Sequence, residues 1–316
     1  MDYYSAFSAT FGVTAPVFIL VFFGLFLRQK QQISAEFVST ASRLIFNWCL
    51  PFLIFIAMIN NPVDLHREWY FIAISVGIAL SSFVLVWMSA RYWTQPQDRG
   101  VAVQGAFRSN LGIIGLALCE SAFGSSGLAI GAVLLAVVTP VFNVLSIWGL
   151  NQALHQNTQG VIKRALIDTA RNPLIIAIIC GFFATGFDFK PPKVMYDSLS
   201  YLANLTLPLA LLVIGASISL KEFKQTTQLS CWVVLLKLVF VPLFAILIAK
   251  GLGITGTQLG CLVIMFASPT ATASFVMVRT IGGNYSLASN IIVLSTVMAL
   301  LTISLWLYCL TMLAWF

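Results

Sequence analysis

Apolar residues run in long blocks along this chain, separated by short clusters of charge, proline and glycine. They neither alternate at the two-residue period of a half-buried strand nor repeat as a narrow stripe on one helix face. Most blocks reach about 20 residues, the length a helix needs to cross the hydrocarbon core of a bilayer. The pattern predicts helical spans over residues 10–27, 37–59, 69–92, 101–123, 127–150, 172–187, 194–219, 229–250, 258–280 and 286–315. The expectation is an all-α polytopic membrane protein with ten transmembrane helices. The fourth and ninth spans are the least regular, because Gly105, Gly112 and Gly115 interrupt one and Ser268-Pro269-Thr270 the other.

Composition agrees. Of 316 residues, 59% are hydrophobic and 9% charged, where a soluble domain carries about 25% charge. That excludes a cytosolic enzyme, a disordered chain and a secreted disulfide module. Cys49, Cys119, Cys180, Cys231, Cys261 and Cys309 lie in or at the ends of apolar blocks without metal-ligand spacing, so neither disulfides nor a zinc site is expected. Met1-Asp2-Tyr3-Tyr4 lacks the positive start of a signal peptide, so the first helix is expected to remain in the mature protein. The net charge of +7 contains no basic cluster longer than Lys163-Arg164, so no nucleic-acid partner is implied.

The excess charge reads as topology instead. The odd-numbered connections hold Arg28, Lys30, Arg91, Arg99, Lys163, Arg164, Arg171, Lys221, Lys224 and Arg279; the even ones hold only Arg67, Lys190, Lys193 and Lys250. By the positive-inside rule the odd connections are cytoplasmic and both termini lie outside, periplasmic in a bacterial inner membrane.

The two halves resemble each other. Pro16 and Pro173 are 157 residues apart (173 − 16), as are Gly24 and Gly181, Phe26 and Phe183, Asn47 and Asn204, Leu50 and Leu207, and Pro51 and Pro208. The organisation expected is a first repeat over 1–150, a cytoplasmic linker over 151–171 and a second repeat over 172–316. Five spans per half insert the second repeat upside down, an architecture common among secondary transporters. Within the linker, Val161, Ile162, Ala165 and Leu166 stand against Lys163, Arg164 and Asp168, the pattern of either a short surface helix or a solvated connection.

Polar residues inside the spans mark the candidate chemistry. Span four reads Gln104-Gly105-Ala106-Phe107-Arg108-Ser109-Asn110-Leu111-Gly112, and span nine reads Ser268-Pro269-Thr270-Ala271-Thr272-Ala273-Ser274. An intramembrane arginine should face protein or a water-filled cavity. Pro269 removes a backbone donor, and the freed carbonyls must find partners or line a cavity. Both spans are expected to be locally unwound at corresponding places, which is the best sequence pointer to a transport site. A broken helix presents N–H groups and a positive dipole end, so the ligand expected is an anion. Asn110 can donate to a carboxylate, Thr270 and Thr272 offer hydroxyls, and Arg108 adds a full charge if it turns inward. Asn47 and Asn204 each sit four residues before a proline, where they either satisfy a freed carbonyl or touch the ligand. Lys237, about eight residues into span eight, is expected to snorkel to the cytoplasmic surface. Arg43 is similarly shallow. Glu120 is read as a solvated helix end. His66 and His155 fall in connections and form no metal pair, and no catalytic, phosphate-binding or cofactor motif is present.

Phe46-Asn47-Trp48-Cys49-Leu50-Pro51, Phe107-Arg108-Ser109-Asn110 with Gly115-Leu116, and the run Ser268 to Ser274 together resemble the auxin efflux carrier family. That family includes bacterial carriers of malonate and malate and the plant PIN auxin exporters. The resemblance covers essentially the whole chain. It implies ten helices in an inverted five-plus-five repeat similar to the bile acid–sodium symporter fold, with helices four and nine crossing at broken segments beside the substrate. It also implies an elevator-like movement of a transport domain against a scaffold, and a homodimer. In plant members a proline followed by an asparagine breaks the fourth helix, and the asparagine binds the substrate carboxylate. The asparagine falls on Asn110, but the proline falls on Ser109, a departure that implies a softer break. Pro269 matches the second break. Plant members also pair a lysine at the position of Asn47 with an aspartate in span three. Both are missing here, so the coupling ion is left open between a proton, sodium and none.

The function expected is secondary transport of a small organic anion, a mono- or dicarboxylate that includes auxin-like acids among its candidates, in the bacterial cytoplasmic membrane. No cofactor is expected. Arg108, Ser109, Asn110, Ser268, Pro269, Thr270, Thr272, Asn47 and Asn204 are the candidate substrate-binding residues. The alternatives are a sodium-coupled symporter of the bile-acid type and a sensor on the same fold.

Overall fold

The computed structural model describes residues 3–62, 65–154, 163, 167, 170–218 and 227–315; for 3–10, 13 and 65–67 the backbone alone is described. Most of the expected linker helix therefore lies outside the described residues. The described elements are helices: α1 (Tyr3–Gln29), α2 (Ala35–Leu44), α3 (Leu50–Asn60), α4 (Leu65–Ala90), α5 (Pro96–Phe107), α6 (Leu116–Ala153), α7 (Pro173–Gly186), α8 (Lys193–Ser217), α9 (Gln228–Leu235), α10 (Val241–Gly251), α11 (Gly256–Ala267), α12 (Ala273–Ile281) and α13 (Tyr285–Met312). Among the described residues six helical stretches are long and apolar enough to cross a membrane, and Thr14–Gln29, Pro173–Gly186 and Gly256–Ala267 are shorter apolar helices. Large apolar side chains such as Ile19, Trp69, Leu247 and Leu301 are exposed on the outside. In water that surface would be a liability; in lipid it is the solvated face. The chain is a multi-pass membrane protein.

The helix ends follow local chemistry. Asn172 caps α7 by accepting the Leu174 N–H at 2.9 Å, with Pro173 in the first turn. Asn284 caps α13 through Leu287 N–H, and α12 stops at Gly282 in the left-handed region (φ 83°).

Two spans change pitch at prolines. A π-helical turn over Ile45–Cys49 joins α2 to α3 ahead of Pro51, and another over Leu236–Phe240 joins α9 to α10 ahead of Pro242. A proline ring crowds the carbonyl four residues earlier, and a wider turn relieves it. At the second site that carbonyl belongs to Leu238, and the Trp306 indole N–H donates to it at 2.9 Å.

α6 is two helices that meet at a sharp turn. Gly124 has φ 63° and ψ −153°. A Cβ placed on Gly131 would stand 3.4 Å from Cys119 Cβ, although residues twelve apart on a straight helix are about 18 Å apart. The chain therefore doubles back at Gly124, and the segments before and after it are separate, antiparallel helices.

The helices pack in two groups. α1, α2–α3, α7 and α8 pack on one another; α4, α5, α6 and α9 to α13 form the other group; α1 against α13 and α3 against α6 join them. The first group is drawn together by glycine. A Cβ on Gly24 would lie 2.1 Å from the Leu212 carbonyl oxygen, and one on Gly215 would lie 1.8 Å from that of Val21. Backbone thus touches backbone between α1 and α8, the close approach that small residues permit between membrane helices. Gly215→Ala is expected to lower stability by about 1–3 kcal/mol through overpacking. Gly77→Ala, at a position with open space around it, should leave the thermal midpoint in detergent unchanged or slightly raised; equal midpoints for the two variants would refute the close contact.

Candidate functional site

α5 ends at Phe107 and a π-helical turn restarts at Leu111, so Arg108, Ser109 and Asn110 form an extended break. α11 ends at Ala267 and α12 starts at Ala273, leaving Ser268 to Thr272 between them. The two breaks cross as a single antiparallel bridge between Ser109 and Thr270. Asn110 N–H donates to Pro269 O at 2.8 Å and Ala271 N–H to Arg108 O at 3.3 Å.

Side chains then complete what the backbone leaves open. Thr270 Oγ1 donates to Gly105 O, in the last turn of α5, at 2.7 Å. Ser109 Oγ donates to Phe266 O, in the last turn of α11, at 3.3 Å. Each bridge residue therefore caps the carbonyl four positions before its partner. The Thr270 N–H donates to Ser295 Oγ of α13. Ser268 Oγ turns back to Ile264 O in its own helix. A proline in place of Ser109 would have no hydroxyl for Phe266, so the serine gives this break a bond in exchange for stiffness.

Asn110 is both linker and ligand group. Its Oδ1 accepts the Ile113 N–H at 3.3 Å, capping the restarted helix. Among the described residues no acceptor takes its amide N–H₂, and the side chain lines a cavity of about 640 Å³. The same cavity is lined by Arg108, Ser109, Thr272, Asn47 and Arg43, and a smaller one of about 190 Å³ adjoins it at Asn110 and Thr272. Arg108 is buried. Its guanidinium donates to Asn143 Oδ1 at 2.7 Å and Ser146 Oγ at 3.3 Å, both on the segment of α6 beyond Gly124, and to Met277 Sδ at 3.1 Å. Arg43 and Arg108 are charged, and no carboxylate is among the described lining residues. In the first turns at Leu111 and Ala273, the Ile113 N–H is taken by Asn110 Oδ1 and those of Ser274 and Phe275 by the carbonyls of Ala271 and Thr272, so what these turns add to the site is chiefly their positive dipole ends. The site can hold an anion by charge, dipole and direct donors together.

Not every candidate residue arrives there. Pro269 and Thr270 stand behind the bridge, where they build it. Asn204 is exposed on α8 and lines neither cavity. Asn47 lines the large cavity from the π-helical turn and bonds to none of the described residues. Lys237 corrects the snorkelling expectation: it is fully buried, and its Nζ donates to Ser109 Oγ and, at 2.9 Å, to Phe266 O. Lys237 stands seven residues after Ser230 and three after Val234, on the buried face of its helix, and that spacing was the signal available in the sequence. Asn143 and Ser146, one turn apart in span five, were missed as the partners of Arg108.

Thr270→Val keeps the shape but leaves the Gly105 carbonyl buried without a donor, and should cost about 1–3 kcal/mol. Thr280→Val removes a hydroxyl that bonds only within α12 and should change stability by less than about 0.5 kcal/mol. Thermal unfolding of the two variants side by side checks the capping.

Comparison with known proteins places this arrangement in a family. A family model described as "Membrane transport protein" matches residues 10–307. A protein of Rhizobium meliloti (strain 1021) named "Putative malonate transporter" is 24% identical over 307 residues, covering 94% of each chain. An uncharacterized transporter of Methanothermobacter thermautotrophicus is 22% identical over 293 residues, covering 92% of this chain and 95% of its own. Another from Methanocaldococcus jannaschii is 24% identical over 299 residues, with the same coverage. The chain belongs to the membrane transport protein family, that of the auxin efflux carriers.

Proposed function

We propose that this protein is a ten-pass secondary carrier that moves a small organic anion, a mono- or dicarboxylate, by alternating access. One observation carries the reading. Asn110, Thr272 and two helix starts meet Arg43 and Arg108 around a 640 Å³ cavity, with no carboxylate in the described lining. A substrate carboxylate accepts from the Asn110 amide and the Thr272 hydroxyl, and the arginines neutralise its charge. The malonate in the name of the Rhizobium relative makes a short dicarboxylate the first substrate to try.

The fold supports the rest. Six long spans, three shorter apolar helices and the reversal at Gly124 add up to ten passes (6 + 3 + 1). The inverted repeat has support in packing. Gly24 abuts Leu212; the positions 157 away are Gly181 and Phe55, and Gly181 abuts Phe55 and Met58. Helix one thus meets helix seven as helix six meets helix two. The reciprocal capping across the bridge repeats the same exchange.

The cavity lies between the two helix groups, with Ser42, Arg43, Phe46 and Asn47 on one side and both breaks on the other. An elevator motion would carry the breaks, within their group, past the glycine-joined scaffold. Asn172, Arg43, Asn143 and Met277 line the cavity toward the odd-numbered connections, so by the charge rule this form opens to the cytoplasm. A homodimer in a bacterial cytoplasmic membrane, with both termini outside, is the assembly this reading expects.

Counterflow into proteoliposomes tests it, with labelled malonate, malate, lactate and indole-3-acetate under imposed proton and sodium gradients. Saturable exchange of one acid is expected. Asn110→Ala should weaken binding about 10- to 100-fold, as loss of a hydrogen bond to a charged group does, and should lower stability only by the lost helix cap, about 0.5–2 kcal/mol. Wild-type flux in folded Asn110→Ala would overturn the site, and no flux of any acid would overturn the carrier.

A further inference from the structure

The crossing is electrically two-faced. The starts of the helices at Leu111 and Ala273 turn their positive ends to the cavity. The ends of α5 at Phe107 and α11 at Ala267 bring two negative ends to the same place. Each helix terminus carries about half an elementary charge, and its last carbonyls lack helical donors. Two such ends meeting in a dry interior need positive charge beside them. Broken membrane helices commonly meet that need with a bound sodium ion or a proton, held by helix-end carbonyls.

Here the place is taken by a side chain. Lys237 comes from a different helix and is fully buried. Its Nζ donates to the Phe266 carbonyl, one residue before the end of α11, and to the Ser109 hydroxyl, next to Asn110. A carbonyl and a hydroxyl oxygen are the ligands a hard cation would take. Among the described residues no carboxylate is bonded to the Lys237 ammonium. Among the described residues, the acceptors of the ammonium are the helix-end carbonyl and the hydroxyl. Ser109 separates it from the anion site by a single residue, so its charge stands directly behind the bound anion.

We infer that the Lys237 ammonium is the protein's own cation at the crossing, occupying the place of a bound alkali ion, so that anion binding requires no added sodium. The inference rests on the carrier reading for its functional consequence, but not for its structural one. Wild type should bind malonate equally in sodium, potassium and choline chloride at matched ionic strength. Lys237→Met, of similar length and neutral, should bind at least about tenfold more weakly in all three. Lys237→Ala leaves room for an ion; it should be weak in choline chloride and recover in sodium or ethylammonium chloride. Sodium-dependent binding by wild type, or Lys237→Met binding as wild type does, would overturn the inference.

If wild type binds no malonate in any salt, the carrier reading fails on that substrate, and ligand-free thermal midpoints still decide the inference. A midpoint lowered by at least about 4 °C in Lys237→Met, with the loss in Lys237→Ala regained in ethylammonium, supports it. A wild-type midpoint for Lys237→Met overturns it. Should either variant fail to fold, the salt series on wild-type midpoints stands alone: no sodium-specific stabilisation supports the inference, and sodium-specific stabilisation refutes it.

Discussion

Two helices cannot stop in the middle of a membrane unless every polar backbone group they expose finds a partner. Hydrocarbon offers none, and each group left alone costs several kcal/mol. The crossing of the breaks at Ser109 and Thr270 answers that constraint. A bridge joins the two extended segments, and each bridge residue sends its hydroxyl to the last turn of the opposite helix. Neither break can be satisfied without the other, so the two spans form one unit although they lie about 160 residues apart. Everything that makes the cavity suited to an anion follows from keeping those breaks open.

The same constraint explains which parts of this structure are legible in the sequence. A span is announced by its own residues. The block 37–59 becomes Ala35–Asn60, and 194–219 becomes Lys193–Ser217, because desolvated backbone must be helical wherever side chains are apolar. The interruptions are also local: Pro269 cannot continue a helix, and Gly112 and Gly115 weaken one. Partners across the fold are not local. Nothing beside Arg108 in the chain points to Asn143, and nothing beside Lys237 points to Phe266. Asn47 and Asn204 occupy equivalent places before prolines, yet only Asn47 reaches the cavity. In the inverted repeat proposed above, equivalent residues of the two halves face opposite ends of the site, and a cavity open at one end collects only one of them.

Prolines have a second effect here that composition hides. Pro51 and Pro242 each follow a turn of π-helix rather than a kink. A π-helical turn inserts a residue and rotates everything after it, so it sets which face of the span looks inward. Asn47 and Lys237 sit within these two turns, Asn47 four residues after Arg43 on the cavity face and Lys237 three after Val234 on the buried face.

The reversal at Gly124 leaves almost no loop at that end of the helix group bearing the breaks. Helical hydrogen bonding runs up to the turn and resumes after it, and Ser126 Oγ returns a bond to Phe123 O at 3.0 Å. A body that slides along the membrane normal must drag its tips through regions of changing polarity, and a long hydrated loop resists being drawn into lipid. A tip only a few residues long, with its own carbonyl satisfied, has little hydration to shed. In the elevator motion proposed above, its transfer cost would be small in either position, which would keep the two end states of the stroke close in free energy.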